Sequence, residues 1–150
     1  TVMENVSLPL MLSRTSMKKI REVALEKMKK VGVEHLSNKK VSVLSGGEKQ
    51  RVAIARALVC DPEYIMADEP TGALNRQSSS EVMKIFNKIN EEGTSIMMVT
   101  HDLKVASKCE RVLYIEDGTI KNEIYLGKCN EKNLKEREIK LSNWLMELGW

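Results

Sequence analysis

Tyr64-Ile65-Met66-Ala67-Asp68-Glu69 is an apolar run that ends in two adjacent carboxylates. Its length and the turn residues around it suit a buried strand. Acids at the carboxyl end of a parallel strand sit where open α/β sheets bind ligands. Successive residues point to opposite faces, so the two acids take different roles. Asp68 can hold a hydrated Mg²⁺ while Glu69 aligns a water for attack. Ser45-Gly46-Gly47 is the second signal, with Glu48 three residues after Ser45 in a capping-box pattern. A helix N-terminus exposes N–H groups and a partial positive charge that favour phosphate, and two glycines let that backbone come close to an anion. His101 is the third signal: it directly follows an apolar run and could donate a hydrogen bond to a phosphate or a water. Each has a plainer reading alone: acids on a solvated loop, an ordinary capped helix, a surface histidine. Together they are parts for phosphoryl transfer, which needs positioning and charge neutralisation more than covalent chemistry.

The elements that must hold these residues follow from periodicity. Pro9 breaks any long helix in the first dozen residues. Met17, Ile20, Ala24, Met28 and Val31 lie at helical spacing after Ser16, with Gly32 as the stop. Gln50 to Val59 reads as a helix with Val52, Ala55 and Val59 on one face, ended by Asp61-Pro62. Ser78, Ser79 and Ser80 are candidate caps for a helix carrying Val82, Ile85, Phe86 and Ile89, closed by Gly93. Ser95 to Val99 reads as a second continuous, buried strand. Arg111–Glu116 and Thr119–Tyr125 flank Asp117-Gly118, a hairpin signal, and are expected to add an antiparallel edge to the sheet. Roughly Glu131 to Leu148 forms a tail helix, with Leu134, Leu141, Leu145 and Leu148 at helical spacing. Strand–helix–strand alternation predicts an α/β fold whose parallel strands are covered by helices.

Composition narrows the field. The 150 residues are 42% hydrophobic and 30% charged, enough for a real core and unlike disordered or collagen-like chains. A net charge of +3 and an aromatic content of 4% give neither the basic footprint nor the stacking platform of a nucleic-acid binder, so no nucleic-acid partner is expected. Cys60, Cys109 and Cys129 form no CxxC pair and suit a reducing compartment better than a disulfide framework or a zinc site. There is neither an apolar stretch long enough for a membrane span nor a secretory signal, and the chain starts at Thr1 rather than Met, which points to missing upstream sequence.

Leu44-Ser45-Gly46-Gly47-Glu48-Lys49-Gln50-Arg51 resembles the signature motif of ABC-transporter ATPase subunits, extended by Ala55-Arg56-Ala57-Leu58. Tyr64 to Glu69 followed by Pro70-Thr71-Gly72 resembles their Walker B strand and the loop after it, and Thr100-His101-Asp102 resembles their switch histidine. The resemblance runs from about Val2 to Ile124 in matching order and spacing. It implies ATP and Mg²⁺ as cofactors. Asp68 would bind the metal through water, Glu69 would be the base for the attacking water, and His101 would contact the γ-phosphate. Ser45, Gly46 and Gly47, with Glu48 beside them, would contact the γ-phosphate of a nucleotide held mainly by a second ATPase subunit in a head-to-tail dimer. A membrane permease subunit would be the other partner, placing the chain at the cytoplasmic face of the membrane. Pro70 to Leu74, the Asn5 to Leu10 stretch and the tail ending Leu145 to Trp150 are similar to the lipoprotein-release and macrolide or bacitracin-type exporters.

The resemblance also shows what the sequence lacks. None of the eight glycines begins G-x-x-x-x-G-K-[ST]. The chain therefore reads as the C-terminal part of a P-loop (RecA-like) cassette: a helical signature subdomain over 1–60, the later part of the ATPase core over 61–125 and a tail helix over 126–150. Asn75 stands where the family usually has Asp, at a position that helps couple the two sites of the dimer. An alternative is a non-catalytic fragment that binds a complete subunit. A DNA-repair-type ATPase is less favoured, because only one short helix precedes the signature. A parallel sheet without its phosphate-loop strand leaves apolar surface open, so the purified chain is expected to self-associate. Sedimentation velocity should show mass that rises with concentration; a monodisperse monomer with a sharp cooperative melt would contradict this.

Overall fold

The computed structural model describes residues 1–12, 16–130 and 132–149. Glu131 and Trp150, which the sequence reading puts at the ends of the tail stretch, lie outside the described residues. The chain divides into two compact units, Thr1–Met98 and Val99–Trp150.

The first unit begins with α1 (Val2–Met11) and α2 (Met17–Lys30). Pro9 lies inside α1 and does not prevent it. The ring removes one helical hydrogen bond near the C-terminal end of a ten-residue helix. Strong fixation at the other end offsets that loss. Thr1 and Glu4 form a capping box, and the Val2 and Met3 N–H groups donate to Lys39 and Ser37 carbonyls at 2.9 and 3.0 Å. Val2 and Val6 are fully buried where α1 packs on α2 and α3. On α2, Ile20, Ala24 and Met28 are buried as their spacing requires, whereas Met17 is exposed at the helix start. The helix ends at Gly32, with the Val33 N–H donating to the Met28 carbonyl at 2.9 Å. Lys27 reaches Asp61 at 2.6 Å and Lys30 pairs with Glu92, tying α2 to the segments after α3 and α4.

Two 3-10 turns, Glu34–Leu36 and Val41–Val43, lead into α3 (Gly46–Leu58), which starts four residues earlier than the apolar periodicity indicates because Ser45 caps it. Strand β1 (Tyr64–Asp68), α4 (Arg76–Glu91) and β2 (Ser95–Val99) follow as one crossover, with β1 and β2 paired and parallel. Val82, Met83, Phe86 and Ile89 of α4 and Ile65 of β1 are buried. The expectation of fully buried strands is not met. Tyr64, Met66 and Met97 are 72%, 78% and 52% exposed. Side chains alternate across a strand, so helices covering one face bury Ile65 and leave Tyr64 and Met66 on the other.

The second unit holds α5 (Leu103–Ala106), the hairpin β3 (Arg111–Glu116) and β4 (Thr119–Tyr125), and α6 (Leu134–Glu147). The strand limits match those expected from the sequence, and Asp117 and Gly118 turn the chain with φ of 50° and 71°. Among the described residues the hairpin is a two-stranded sheet of its own, not an added edge of β1–β2. The two strands pair with each other across the tight turn, a local pairing that does not require an edge of β1–β2. Leu141 is fully buried, and Trp144 meets Tyr114 edge-to-face with ring centroids 6.5 Å apart.

Arg137 of α6 is 4% exposed, and among the described residues its guanidinium makes no ion pair. It donates instead to four main-chain carbonyls: Ser107 at 2.7 Å, Cys109 at 2.8 Å, Leu126 at 2.8 Å and Gly127 at 2.9 Å. Arg137→Ala removes every one of these donors and is expected to destabilise the second unit by about 2–4 kcal/mol. Hydrogen exchange should show α6 and the hairpin opening together; unchanged protection would contradict the assignment.

Candidate functional site

The first unit contains seven of the eight residues singled out from the sequence: Ser45, Gly46, Gly47, Glu48, Asp68, Glu69 and Asn75. His101 belongs to the second unit, just before the Asp102 cap of α5, whose side chain accepts from the Lys104 N–H at 2.8 Å.

The N-terminus of α3 is closed by the expected capping box. The Glu48 N–H donates to Ser45 Oγ at 3.4 Å, and Glu48 Oε2 accepts from the Ser45 N–H at 2.8 Å and the Ser45 hydroxyl at 2.7 Å. The Ser45 hydroxyl, and then its N–H, hold the Glu48 carboxyl below the usual carboxylate range. The first N–H groups of a helix have no partner within it. The cap uses the one on Glu48 and leaves those of Gly46 and Gly47 as the donors of an anion-receptive end. Gly46 is exposed and Gly47 is buried.

Asp68 is the last residue of β1, exposed at the strand's carboxyl end. Glu69 follows with φ of 42°, a left-handed conformation that costs a non-glycine residue about 1 kcal/mol or more. This kink turns the chain abruptly, and the Gly72 N–H closes the turn on the Glu69 carbonyl at 3.1 Å. Among the described residues no group of three or more His, Cys, Asp or Glu could cage a metal. Mg²⁺ needs no such cage, since it keeps waters and takes one or two carboxylates together with substrate phosphates. Asp68 fits that demand.

Asn75, and not one of the three serines after it, caps α4. Its Oδ1 accepts from the Ser78 N–H at 2.9 Å, and its carbonyl accepts from the Ser79 N–H at 2.9 Å. The helix therefore starts at Arg76, and Ser78 lies within its first turn. An asparagine makes this cap as well as a carboxylate would, at the loss of one negative charge near a positive helix end. Two residues that brace α4 against α3, Gln77 and Glu81, carried no signal in the sequence. Arg51 of α3 pairs with Glu81 of α4 at 2.8 Å, and Gln77 also donates to Glu81 at 3.3 Å, so the two helices are braced side by side.

Residues 1–72 match the family described as ABC transporter. The chain is 46% identical over 120 residues to the uncharacterized ABC transporter ATP-binding protein YvrO of Bacillus subtilis, covering 80% of this chain and 52% of that protein. It is 46% identical over 121 residues to the lipoprotein-releasing system ATP-binding protein LolD of Pseudoalteromonas translucida, with the same coverage of 80% and 52%. A solved structure of the ATP-binding cassette MJ0796, dimeric and bound to ADP and Pi, superposes with a TM-score of 0.74 at 41% identity, over 86% of this chain and 58% of that one. The fold is that of the ABC ATPase cassettes, and over residues 1–72 the chain is similar to the ABC transporter family. It spans about half the length of the curated relatives that it matches.

Because Glu48 is held as the anion, its share of the α3 cap is complete above the unfolded carboxylate value. That share is lost as pH falls through the lowered folded value. Ser45→Ala should cost about 1 kcal/mol at neutral pH and flatten this acid-side loss. Protection of the α3 amides between neutral and acidic pH checks both; an unchanged acid limb would refute the assigned cap.

Proposed function

We propose that this chain is the signature-bearing part of the ATP-hydrolysing subunit of an ABC transporter, an exporter of the lipoprotein-release or peptide-antibiotic type. The observation that carries the reading is the end of β1, where Asp68 is followed by Glu69 held at φ 42°. The capped α3 N-terminus in the same unit supports it, as does the likeness to a lipoprotein-releasing ATP-binding protein.

In this reading Asp68 holds Mg²⁺ through water, and the ion supplies charge neutralisation at the transferring phosphate. Glu69 orients the attacking water and takes its proton. The Ser45 hydroxyl and the Gly46 and Gly47 N–H groups bind the γ-phosphate oxygens of an ATP held mainly by a second ATPase subunit, in a head-to-tail dimer. His101 donates to a γ-phosphate, as the switch histidine it resembles would, and Asn75 helps couple the two sites. A membrane permease is the second partner, with the chain on the cytoplasmic face. No helix among the described residues is long and apolar enough to cross a membrane, so attachment runs through that partner. The 150 residues contain no phosphate loop, and the chain alone is inactive. The open side of β1, with Tyr64 and Met66 exposed, favours a cassette that is completed by further structure.

Mg-ATP turnover of the purified chain is to be measured beside Glu69→Gln, and again after mixing with a complete relative cassette whose own signature serine is replaced. No turnover alone, together with restored turnover in the mixture that Ser45→Arg abolishes, is the expected result. Turnover by the chain alone that Glu69→Gln abolishes would show a working site without a phosphate loop. Failure to restore turnover in the mixture would leave binding without catalysis and overturn the reading.

A further inference from the structure

Gly47 is the second residue of α3, and a β-carbon there would stand 2.9 Å from Ser78 Oγ and 3.0 Å from Ser78 Cβ. Side chains do not approach so closely without displacing something. The α3 N-terminus therefore rests directly on the first turn of α4, and packing within the chain is a reason for this glycine independent of any anion. Its neighbour Gly46 is seated on the same segment, where an added β-carbon would lie 3.3 Å from Leu74 Cδ2 and 3.8 Å from the Ala73 carbonyl oxygen.

That segment leads back to the catalytic carboxylate without a gap. Ser78 donates its N–H to Asn75 Oδ1 at 2.9 Å, the Leu74 N–H donates to the Thr71 carbonyl at 3.0 Å, and the Gly72 N–H donates to the Glu69 carbonyl at 3.1 Å. Thr71 is buried, so the loop is anchored at its middle. The Arg51–Glu81 pair, one turn further along, fixes the spacing of the two helices and prevents them from parting to relieve a displacement.

We infer that Ser78 is a positioning residue, which seats the Ser45–Gly47 turn against the loop that carries Glu69, so that a shift of either is transmitted to the other. The inference rests on the reading of Ser45–Gly47 as a phosphate-binding turn. In a head-to-tail dimer this turn and Glu69 of one chain serve different nucleotides. The Gly47–Ser78 contact is then a route between the two sites inside a single subunit, separate from any contact across the dimer.

The test uses the full isotopically labelled chain with inorganic phosphate as the probe, read at individual backbone amides. Phosphate should move the Gly46, Gly47 and Glu48 amides and, through Ser78, those of Gly72 and Leu74. In Ser78→Gly the first set should still move and the second should not. Gly47→Ala should speed exchange at the Gly72 and Leu74 amides by about tenfold, the low end of what overpacking costs. Adding Ser78→Gly to Gly47→Ala should reverse most of that, because both clashing atoms are gone. Should Gly47→Ala not fold, recovery of folding in the double variant supports the contact and its absence overturns it. A Gly47→Ala effect that Ser78→Gly leaves untouched overturns the inference, as does a phosphate response at Gly72 and Leu74 that persists in Ser78→Gly. Silence at Gly46, Gly47 and Glu48 in the parent chain would instead overturn the phosphate-binding reading, leaving the exchange measurements to judge the contact.

Discussion

Two helices begin at the same place in the first unit, and their close approach governs what surrounds them. The first turns of α3 and α4 touch at Gly47 and Ser78, with no room for a side chain on the α3 side. Helix N-termini carry partial positive charge, so two of them together repel unless something negative or polar stands between. Glu48 supplies a full charge at one end, and Asn75 supplies a neutral oxygen at the other. The balance is incomplete, and an added anion would relieve it.

The chain from β1 to α4 follows from the same constraint. To bring α4 under α3, the backbone must leave the strand sharply after Asp68, and the left-handed turn at Glu69 is how it does so. The strain falls on the residue whose carboxylate is proposed as the base. It is held there by Thr71, buried in the middle of the turn, and by the hydrogen bonds that close it at Gly72 and Leu74. In the proposed reading, the residue at the kink that sets the helix is also the one that bears the base.

Much of this was legible in the sequence wherever the signal was local. The Ser45–Glu48 box and the Asp117-Gly118 turn specify themselves within four residues, and both hairpin strands ended where expected. Signals that compete locally were misread. Three consecutive serines looked like caps, but Asn75 outcompetes them because the chain emerges from the 69–74 turn already aligned for it. Pro9 looked like a breaker, yet the turns after α2 supply carbonyls that satisfy the first N–H groups of α1. Features that depend on distant partners were not legible at all. No periodicity distinguishes the buried Arg137 from the exposed charges around it, and an apolar run such as Tyr64 to Ala67 does not say whether one or both of its faces will be covered.

Arg137 holds α6 in a way that differs in kind from the α3 cap. Its partners are carbonyl oxygens, which neither gain nor lose protons, and a guanidinium keeps its charge at any pH a protein survives. Among the described residues no carboxylate pairs with it, so the contact has no ionisation to reverse, and its burial shields it from dissolved ions. The α3 cap, built on an exposed carboxylate, has both weaknesses. The α3 cap and the α6 anchor thus respond to different chemistry: acid or salt can loosen the start of α3 while the tail helix stays docked.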